Sequence, residues 1–321
     1  MADLLTIALP FFALLALGYG AGRYGAIPAG GRASIEFFAV RIALPALFFR
    51  LVAVTAYADR PDWSFVLTAT FATYCTFALA FSFAALVNRG HIAEATVIGL
   101  AGSSSGIALL APGLVVAAFG PQAGAAMAFV FAADLILLAA LAPLMMMLGG
   151  TERGDWRHVL QGIALAILRN PLFVATVLGL VAALVHLRLP GPLDRLLIVL
   201  GAAAAPAALF AFGLDLAGRP FGGRGGYGLA IALPAKLVVH PLIVYLLLGW
   251  IDGFPAAWID AALVMAALPT AAGVIDAARR FAAGETTAER IVLYSALAAA
   301  ATLLLVLALI GDGVLPAAPF R

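Results

Sequence analysis

Apolar residues follow one another along this chain in ten long stretches, and polar or charged residues separate these stretches. They cover approximately 3–22, 34–54, 64–87, 92–117, 122–148, 163–186, 193–217, 227–250, 256–283 and 288–311. About 20 apolar residues in a helix cross the hydrocarbon core of a bilayer, so each stretch predicts a transmembrane helix. The first stretch lacks a basic leading segment and a small-residue cleavage site, and is therefore interpreted as a mature helix rather than a signal peptide.

The composition also indicates an all-α integral membrane protein. Hydrophobic residues make up 65% of the 321 residues, charged residues make up 11%, and the mean hydropathy is +1.12. A soluble domain has too little interior to bury so many apolar side chains. The net charge of +2 is spread over short loops without a basic stripe, so nucleic acid is not an expected partner. The single cysteine, Cys75, excludes an internal disulfide.

Arginines are distributed unequally between alternate loops. Eleven belong to one side, namely Arg23, Arg32, Arg89, Arg153, Arg157, Arg169, Arg219, Arg224, Arg279, Arg280 and Arg290; five belong to the other, namely Arg50, Arg60, Arg188, Arg195 and Arg321. The side richer in basic residues is expected to be cytoplasmic. Ten spans in the cell (inner) membrane then place both termini outside, and the long loop at 149–161 in the cytoplasm.

The two halves of the chain resemble each other. Three residues recur at a constant offset of 161, which pairs Pro10 with Pro171, Gly18 with Gly179 and Pro45 with Pro206. Each half has an odd number of spans, so the two copies must cross the membrane in opposite directions, as in the inverted repeats of many secondary transporters. The sequence therefore predicts a first five-helix repeat at 1–148, a cytoplasmic linker at 149–161 and a second five-helix repeat at 162–321.

One proline lies inside the fourth apolar stretch, Pro112, and another inside the ninth, Pro269. Proline removes a backbone donor and its ring clashes with the preceding turn, so both helices are predicted to break at membrane depth. The two prolines fall at similar places in the two halves. The breaks are therefore predicted to meet near the midplane, where such transporters bind their substrates.

Small and hydroxyl-bearing residues surround both prolines. Ser103, Ser104, Ser105 and Gly106 precede Pro112, whereas Thr270 and Gly273 follow Pro269. The serine hydroxyls could bond back to the preceding helical turn, or they could line an opened stretch of backbone. Free N–H groups at the start of each half-helix would add positive potential at the crossing, which favours an anion.

Among the ionisable residues within the apolar stretches, Lys236, His240, Asp134 and Arg41 stand out. His240 follows Lys236 by one helical turn, so both side chains share a helix face. Ionisable groups at this depth are costly and usually face a cavity or a partner. We predict that Lys236, His240 and Arg41 help to bind the anion, and that Asp134 carries a coupling proton. Alternatively, Lys236 and Asp134 could form a closed ion pair, and Arg41 could extend to the cytoplasmic face.

Two further patterns near the end of the chain predict only local structure. Asp276 precedes Arg279 and Arg280 by three and four residues, which favours an ion pair on one helix surface. The run 286–289, Thr-Thr-Ala-Glu, fits a capping box at the start of the tenth helix. Neither pattern indicates a binding site.

Five segments together resemble the auxin efflux carrier family of membrane transporters: 9–19, 43–50, 168–172, 240–241 and 267–270. The resemblance implies two inverted five-helix repeats whose broken helices cross. It also implies a scaffold of helices 1, 2, 6 and 7, a mobile unit of helices 3–5 and 8–10, elevator-type alternating access and a homodimer. Bacterial members are associated with small carboxylates such as malonate and malate, and plant members with auxin. Members often carry an asparagine near each break, where this chain has Ser105 and Gly273.

The predicted function is therefore secondary transport of a small organic anion, with a carboxylate favoured, either proton-linked or uncoupled. The phosphate-binding motif G-x-x-x-x-G-K-[ST] does not occur in the sequence, so a gradient or the substrate itself would drive transport. A sodium-coupled symporter of the bile-acid type and a membrane sensor that binds without transporting are the alternatives. Hydrolase motifs are missing as well, so we predict neither an enzyme nor a cofactor or metal site.

Overall fold

The computed structural model is helical throughout the residues that it describes, apart from turns and one isolated bridge. These residues are 2–28, 30–55, 62–150, 155–219, 222, 226–251 and 253–315. Two π-helical turns, Ala39–Ala43 and Ala235–Val239, join α2 to α3 and α10 to α11. The helices are α1 (Ala2–Arg23), α2 (Gly31–Phe38), α3 (Leu44–Thr55), α4 (Trp63–Val87), α5 (Ile92–Ser103), α6 (Ile107–Leu148), α7 (Trp156–Leu168), α8 (Pro171–Leu184), α9 (Gly191–Ala217), α10 (Gly226–Pro234), α11 (His240–Trp250), α12 (Ala256–Ala267), α13 (Gly273–Arg280) and α14 (Glu285–Gly311).

Within the described residues, seven helical segments are long and apolar enough to cross a membrane. They are Thr6–Arg23, Gly31–Thr55, Trp63–Val87, Ile107–Leu148, Gly191–Ala217, Gly226–Trp250 and Glu285–Gly311. Helices α7 and α8 add an eighth span if they are counted as one, with a bend of 70° between them. Helices α5 and α12 are apolar but shorter than a span. The chain is thus a multi-pass membrane protein, whereas the count of ten spans stays a prediction.

Helix α6 is too long for one straight crossing. Its 42 residues would extend about 60 Å, roughly twice the thickness of the hydrocarbon core. Gly120 interrupts it with a φ of 84° and a ψ of 174°, a backbone conformation that glycine adopts readily. This interruption falls between the fourth and fifth apolar stretches, and Pro121 begins the helix again.

The predicted break at Pro112 is wrong, whereas the predicted break at Pro269 is confirmed. Helix α5 ends at Ser103 and α6 begins at Ile107, so Pro112 lies inside a continuous helix. Its missing N–H removes only the bond to the Ala108 carbonyl in the second turn of α6, which the helix tolerates. Helix α12 ends at Ala267 and α13 begins at Gly273, with Pro269 between them.

Two close helix contacts in the structure are related by the same offset of 161 as the sequence repeat. In α1, a β-carbon at Gly18 would overlap the carbonyl oxygen of Phe210 in α9. In α8, a β-carbon at Gly179 would overlap the carbonyl oxygen of Phe49 in α3. Since 18 + 161 = 179 and 49 + 161 = 210, the two contacts correspond residue by residue.

The ion pair predicted for Asp276 and the capping box are both wrong. Among the described residues, Arg279 pairs instead with Glu285 and with Glu289, at 2.8 Å from the latter. Helix α14 begins at Glu285 after Gly284, which has a φ of 64°, so the proposed cap residue already lies in the first turn.

Some of the residues used in the sequence predictions lie outside the described residues. They are the arginines Arg60, Arg153, Arg224 and Arg321, which contributed to the predicted orientation, together with 151–154 of the predicted linker and both chain ends.

Candidate binding site at the crossing of two broken helices

The breaks in the two helix pairs meet through their backbones. Ser105 and Thr270 face each other in an isolated antiparallel bridge. The N–H of Gly106 donates to the Pro269 carbonyl at 2.8 Å, and the N–H of Ala271 donates to the Ser104 carbonyl at 3.1 Å. Each break therefore satisfies backbone groups that the other one leaves free, as a break inside a membrane requires.

Hydroxyl groups hold the two breaks in place. The Thr270 hydroxyl donates to the Ala101 carbonyl at 2.8 Å, and the Thr270 N–H donates to the Ser295 hydroxyl at 3.1 Å. Ser103 and Ser104 bond back to the carbonyls of Gly99 and Leu100, which is the first of the two interpretations open for these serines. The side chains of Ser103 and Thr270 are thus buried, and they stabilise the breaks through hydrogen bonds to backbone carbonyls.

Lys236 brings a charge to the crossing. It projects from the π-helical turn at Ala235–Val239 and is completely buried. Its Nζ donates to the Ser105 hydroxyl at 2.7 Å and to the Ala266 carbonyl at the end of α12, and lies 3.1 Å from Nδ1 of His240. An ammonium group has three donors, and here each of them has a partner.

A second group of polar side chains continues from His240 toward α6. Its Nε2 lies 3.3 Å from the Thr73 hydroxyl of α4, and that hydroxyl lies 3.2 Å from Oδ2 of Asp134. In the described part of the chain, Lys236 and Asp134 are therefore linked through two residues, and the alternative of a closed ion pair is not found. The second oxygen of Asp134, Oδ1, and the Thr70 hydroxyl are buried without a hydrogen-bond partner.

The structure does not bring every predicted residue to the crossing. Arg41 is exposed on the π-helical turn at Ala39–Ala43, and Pro112 is buried within α6. Thr73, which the sequence interpretation missed, belongs to the polar cluster. Its signal was the repetition of threonine at 70, 73 and 76, a spacing that places three hydroxyls along one side of an apolar helix.

Two cavities approach the crossing from different sides. The first, about 360 Å³, is lined at the break by Ser104, Ser105 and Gly273, and also by Asp134 of α6 and Arg280 of α13. The second, about 280 Å³, lies between α2, α9, α13 and α14. It reaches Ala272 and is lined by the charged residues Arg32, Glu36, Asp215, Arg219, Asp276, Arg279 and Glu289. Either cavity can hold a small organic molecule.

The described residues contain no group of three or more His, Cys, Asp or Glu side chains placed to hold a metal ion. The polar groups at the crossing are instead one ammonium, one imidazole, hydroxyls and backbone amides. Such groups bind an anion through hydrogen bonds and charge.

Comparisons with known proteins agree over nearly the whole chain. The profile of the family described as "Membrane transport protein" matches residues 4–307. A protein of Rhizobium meliloti (strain 1021) named "Putative malonate transporter" is 36% identical over 317 residues, which cover 99% of either chain. Both matches are to membrane transporters, and neither is to an enzyme. The chain therefore belongs to the auxin efflux carrier family of membrane transporters.

Proposed function

We propose that this protein is a secondary carrier of a small organic anion, and that malonate or a similar dicarboxylate is its substrate. The observation that carries the proposal is the buried ammonium of Lys236, which is bonded to the broken backbone at Ser105. The start of α6 and the start of α13 lie at the same crossing, and helix N-termini attract negative charge. The name of the Rhizobium meliloti relative supports the carboxylate.

The binding position that fits this proposal is the cavity of about 360 Å³ beside Ser104, Ser105 and Gly273. Lys236 does not line this cavity. Its ammonium donates to the Ser105 oxygen, so the hydroxyl hydrogen of Ser105 stays free to be donated to a carboxylate bound in the cavity. Asp134, on the wall of the same cavity, is the group proposed to carry the coupling proton.

We further propose ten spans in two inverted repeats, 1–148 and 162–321, whose scaffold and mobile helices move relative to each other by an elevator mechanism. The two broken pairs, α5 with the start of α6 and α12 with α13, supply the spans that are individually too short. The contacts of Gly18 and Gly179, related by the offset of 161, support the repeat. The charged cavity supports a boundary between units, because Asp215 of the proposed scaffold and Arg279 of the proposed mobile unit both line it.

Binding should be visible before transport is measured. A ligand that only the folded protein binds raises the free energy of unfolding by about 2.7 kcal/mol when it is present at 100 times its dissociation constant. Malonate at that concentration should therefore raise the melting temperature. Succinate, indole acids and amino acids are compared in the same thermal-shift assay. If indole acids stabilise the protein and dicarboxylates do not, the carboxylate assignment fails.

Uptake of labelled malonate into proteoliposomes separates the alternatives. We expect that an inward proton gradient accelerates uptake, or that uptake needs no gradient. In either case, sodium should not change the rate of uptake. If uptake requires sodium and ignores pH, the bile-acid type of symport replaces the proposal. Malonate that stabilises the protein but never enters the vesicles would indicate a sensor.

Orientation is tested with cysteines in a Cys75→Ser background. The arginine distribution predicts that Tyr24, which is 89% exposed between α1 and α2, faces the cytoplasm, and that Val314, which is 61% exposed after α14, faces outside. In intact cells, a membrane-impermeant maleimide should label Val314→Cys and not Tyr24→Cys. The opposite pattern would reverse the proposed topology, and lysed cells, in which both cysteines react, provide the control.

A further inference from the structure

Four buried side chains connect the crossing to Asp134 through consecutive hydrogen bonds. Nζ of Lys236 lies 3.1 Å from Nδ1 of His240, Nε2 of His240 lies 3.3 Å from Oγ1 of Thr73, and that oxygen lies 3.2 Å from Oδ2 of Asp134. None of the four residues is more than 6% exposed. We propose that this series is a proton relay in which His240 and Thr73 pass one proton between Lys236 and Asp134. The relay rests on the proposed function, since it gives Asp134 its route to the crossing.

The number of donors on Lys236 fixes the direction of the bonds when the ammonium is charged. Two of its hydrogens go to Ser105 and to the Ala266 carbonyl, so the third meets Nδ1 of His240. Nδ1 must then accept, and the hydrogen of the neutral imidazole sits on Nε2, where it is donated to the Thr73 hydroxyl. Thr73 in turn donates its own hydrogen to the carboxylate of Asp134.

The same four groups also support the reversed arrangement. An N–H bond of Lys236 breaks as one forms on Nδ1, the Nε2–H bond breaks as an O–H bond forms on Thr73, and the original O–H bond of Thr73 breaks as one forms on Oδ2 of Asp134. The products are a neutral amine, the other imidazole tautomer and a carboxylic acid. Every hydrogen bond persists with donor and acceptor exchanged, and the total charge of the cluster does not change.

The surroundings restrict the relay to these groups. A cavity of about 10 Å³ touches Thr73, His240 and Asp134, and its remaining lining is apolar except for Ser105. The titratable groups that face this point from α4, α6, α11, α12 and the π-helical turn are therefore Asp134, His240 and Lys236 alone, within the described residues. The Ala69 carbonyl, 3.4 Å from the Thr73 hydroxyl, is a competing acceptor that can hold the hydroxyl while no transfer takes place.

The relay gives the crossing two charge states. An anion beside Ser105 favours the ammonium of Lys236 and leaves Asp134 ionised. When the anion leaves, the proton can move to Asp134, and the crossing loses its charge without an ion entering from water. Asp134 also lines the 360 Å³ cavity, so its carboxyl group is the member of the relay through which a proton would be exchanged with that cavity.

The transport test compares Thr73→Val, which keeps the side-chain shape and removes the hydroxyl, with Thr73→Ser, which keeps the hydroxyl. We expect Thr73→Val to lower malonate accumulation driven by a pH gradient by about 10-fold or more. Malonate exchange at equal pH should stay at the wild-type rate, and Thr73→Ser should behave as wild type in both assays. The relay is refuted if Thr73→Val accumulates malonate normally, or if its exchange falls in parallel with accumulation.

A second readout needs no substrate, so that failure of the relay and failure of the proposed function can be told apart. Nitrogen-15 NMR of histidine-labelled protein in bilayers reports the His240 tautomer, and His240→Gln identifies its signal among the four histidines. In the wild type without substrate, we expect both tautomers. In Asp134→Asn we expect only the form with hydrogen on Nε2, because an amide cannot accept the proton. A single tautomer that is the same in both proteins would overturn the relay, whether or not malonate is transported.

Discussion

Lys236→Ala should strongly weaken the binding and transport of malonate while the protein still inserts into the membrane. The substitution removes a charge-assisted donor from the Ser105 hydroxyl and the only ammonium at the crossing among the described residues. Hydrogen bonds to charged groups contribute about 1.5–3 kcal/mol, which corresponds to a loss in affinity of about 10- to 100-fold. Isothermal titration and proteoliposome uptake measure the two effects. Lys236→Arg should recover only part, because a planar guanidinium cannot reproduce three tetrahedral donors.

The control for this prediction separates chemistry from folding. Lys236→Ala also removes the buried positive charge that is linked to Asp134 through His240 and Thr73. An uncompensated buried charge can destabilise a protein by about 3–5 kcal/mol. In the double variant with Asp134→Asn, the melting temperature should recover while uptake stays low. Recovery of uptake in the double variant would show that Lys236 serves only to neutralise Asp134.

Gly18→Val should prevent stable folding. A β-carbon at Gly18 overlaps backbone atoms of Phe210, so the whole of α9 would have to move away from α1. Overpacking typically costs about 1–3 kcal/mol, and more where backbone is the obstacle, because no rotamer change relieves the contact. Size-exclusion chromatography and the melting temperature of the detergent-solubilised protein measure the result.

The matched control lies a little further along the same helix. A β-carbon added at Gly20 would have no neighbouring atom within 4 Å outside its own helix, so Gly20→Val should fold and melt as the wild type does. Gly179→Val, at the contact related by the offset of 161, should resemble Gly18→Val. If Gly18→Val and Gly20→Val melt alike, the close approach of α1 and α9 is not required for stability.

The helices and one of the two breaks could be predicted from local sequence, because apolar length and proline act on their own neighbourhood. The break at 104–106 could not, since it depends on Ser105 facing Thr270, far away in the chain. Pro112 was misleading because a proline near the start of a helix costs only one bond. The proline identifies a missing donor, but it does not identify which turn opens.

The side chains at the crossing show a similar limit. The spacing of Lys236 and His240 predicted a shared face correctly, since one turn of helix sets it. Arg41 was a candidate only because it lies well inside an apolar stretch of the sequence. The structure leaves its side chain exposed, because packing sets how its helix is rotated. Thr73 was missed because threonine in a helix commonly bonds its own backbone, and only the position of Asp134 gives its hydroxyl a second partner.

The hydrogen bonds between the two breaks also have a consequence for the proposed elevator movement. Because the N–H of Gly106 bonds to the Pro269 carbonyl and the N–H of Ala271 bonds to the Ser104 carbonyl, the proposed elevator movement would carry the two breaks together. The surface of the crossing that faces α1 and α9 is purely apolar along a cleft of about 60 Å³, where Leu110, Leu268 and Pro269 oppose Phe11 and Phe212. Movement along that cleft would displace only apolar side chains relative to one another. In the proposed elevator mechanism, this part of the boundary would therefore contain no polar contact that must break before the crossing moves.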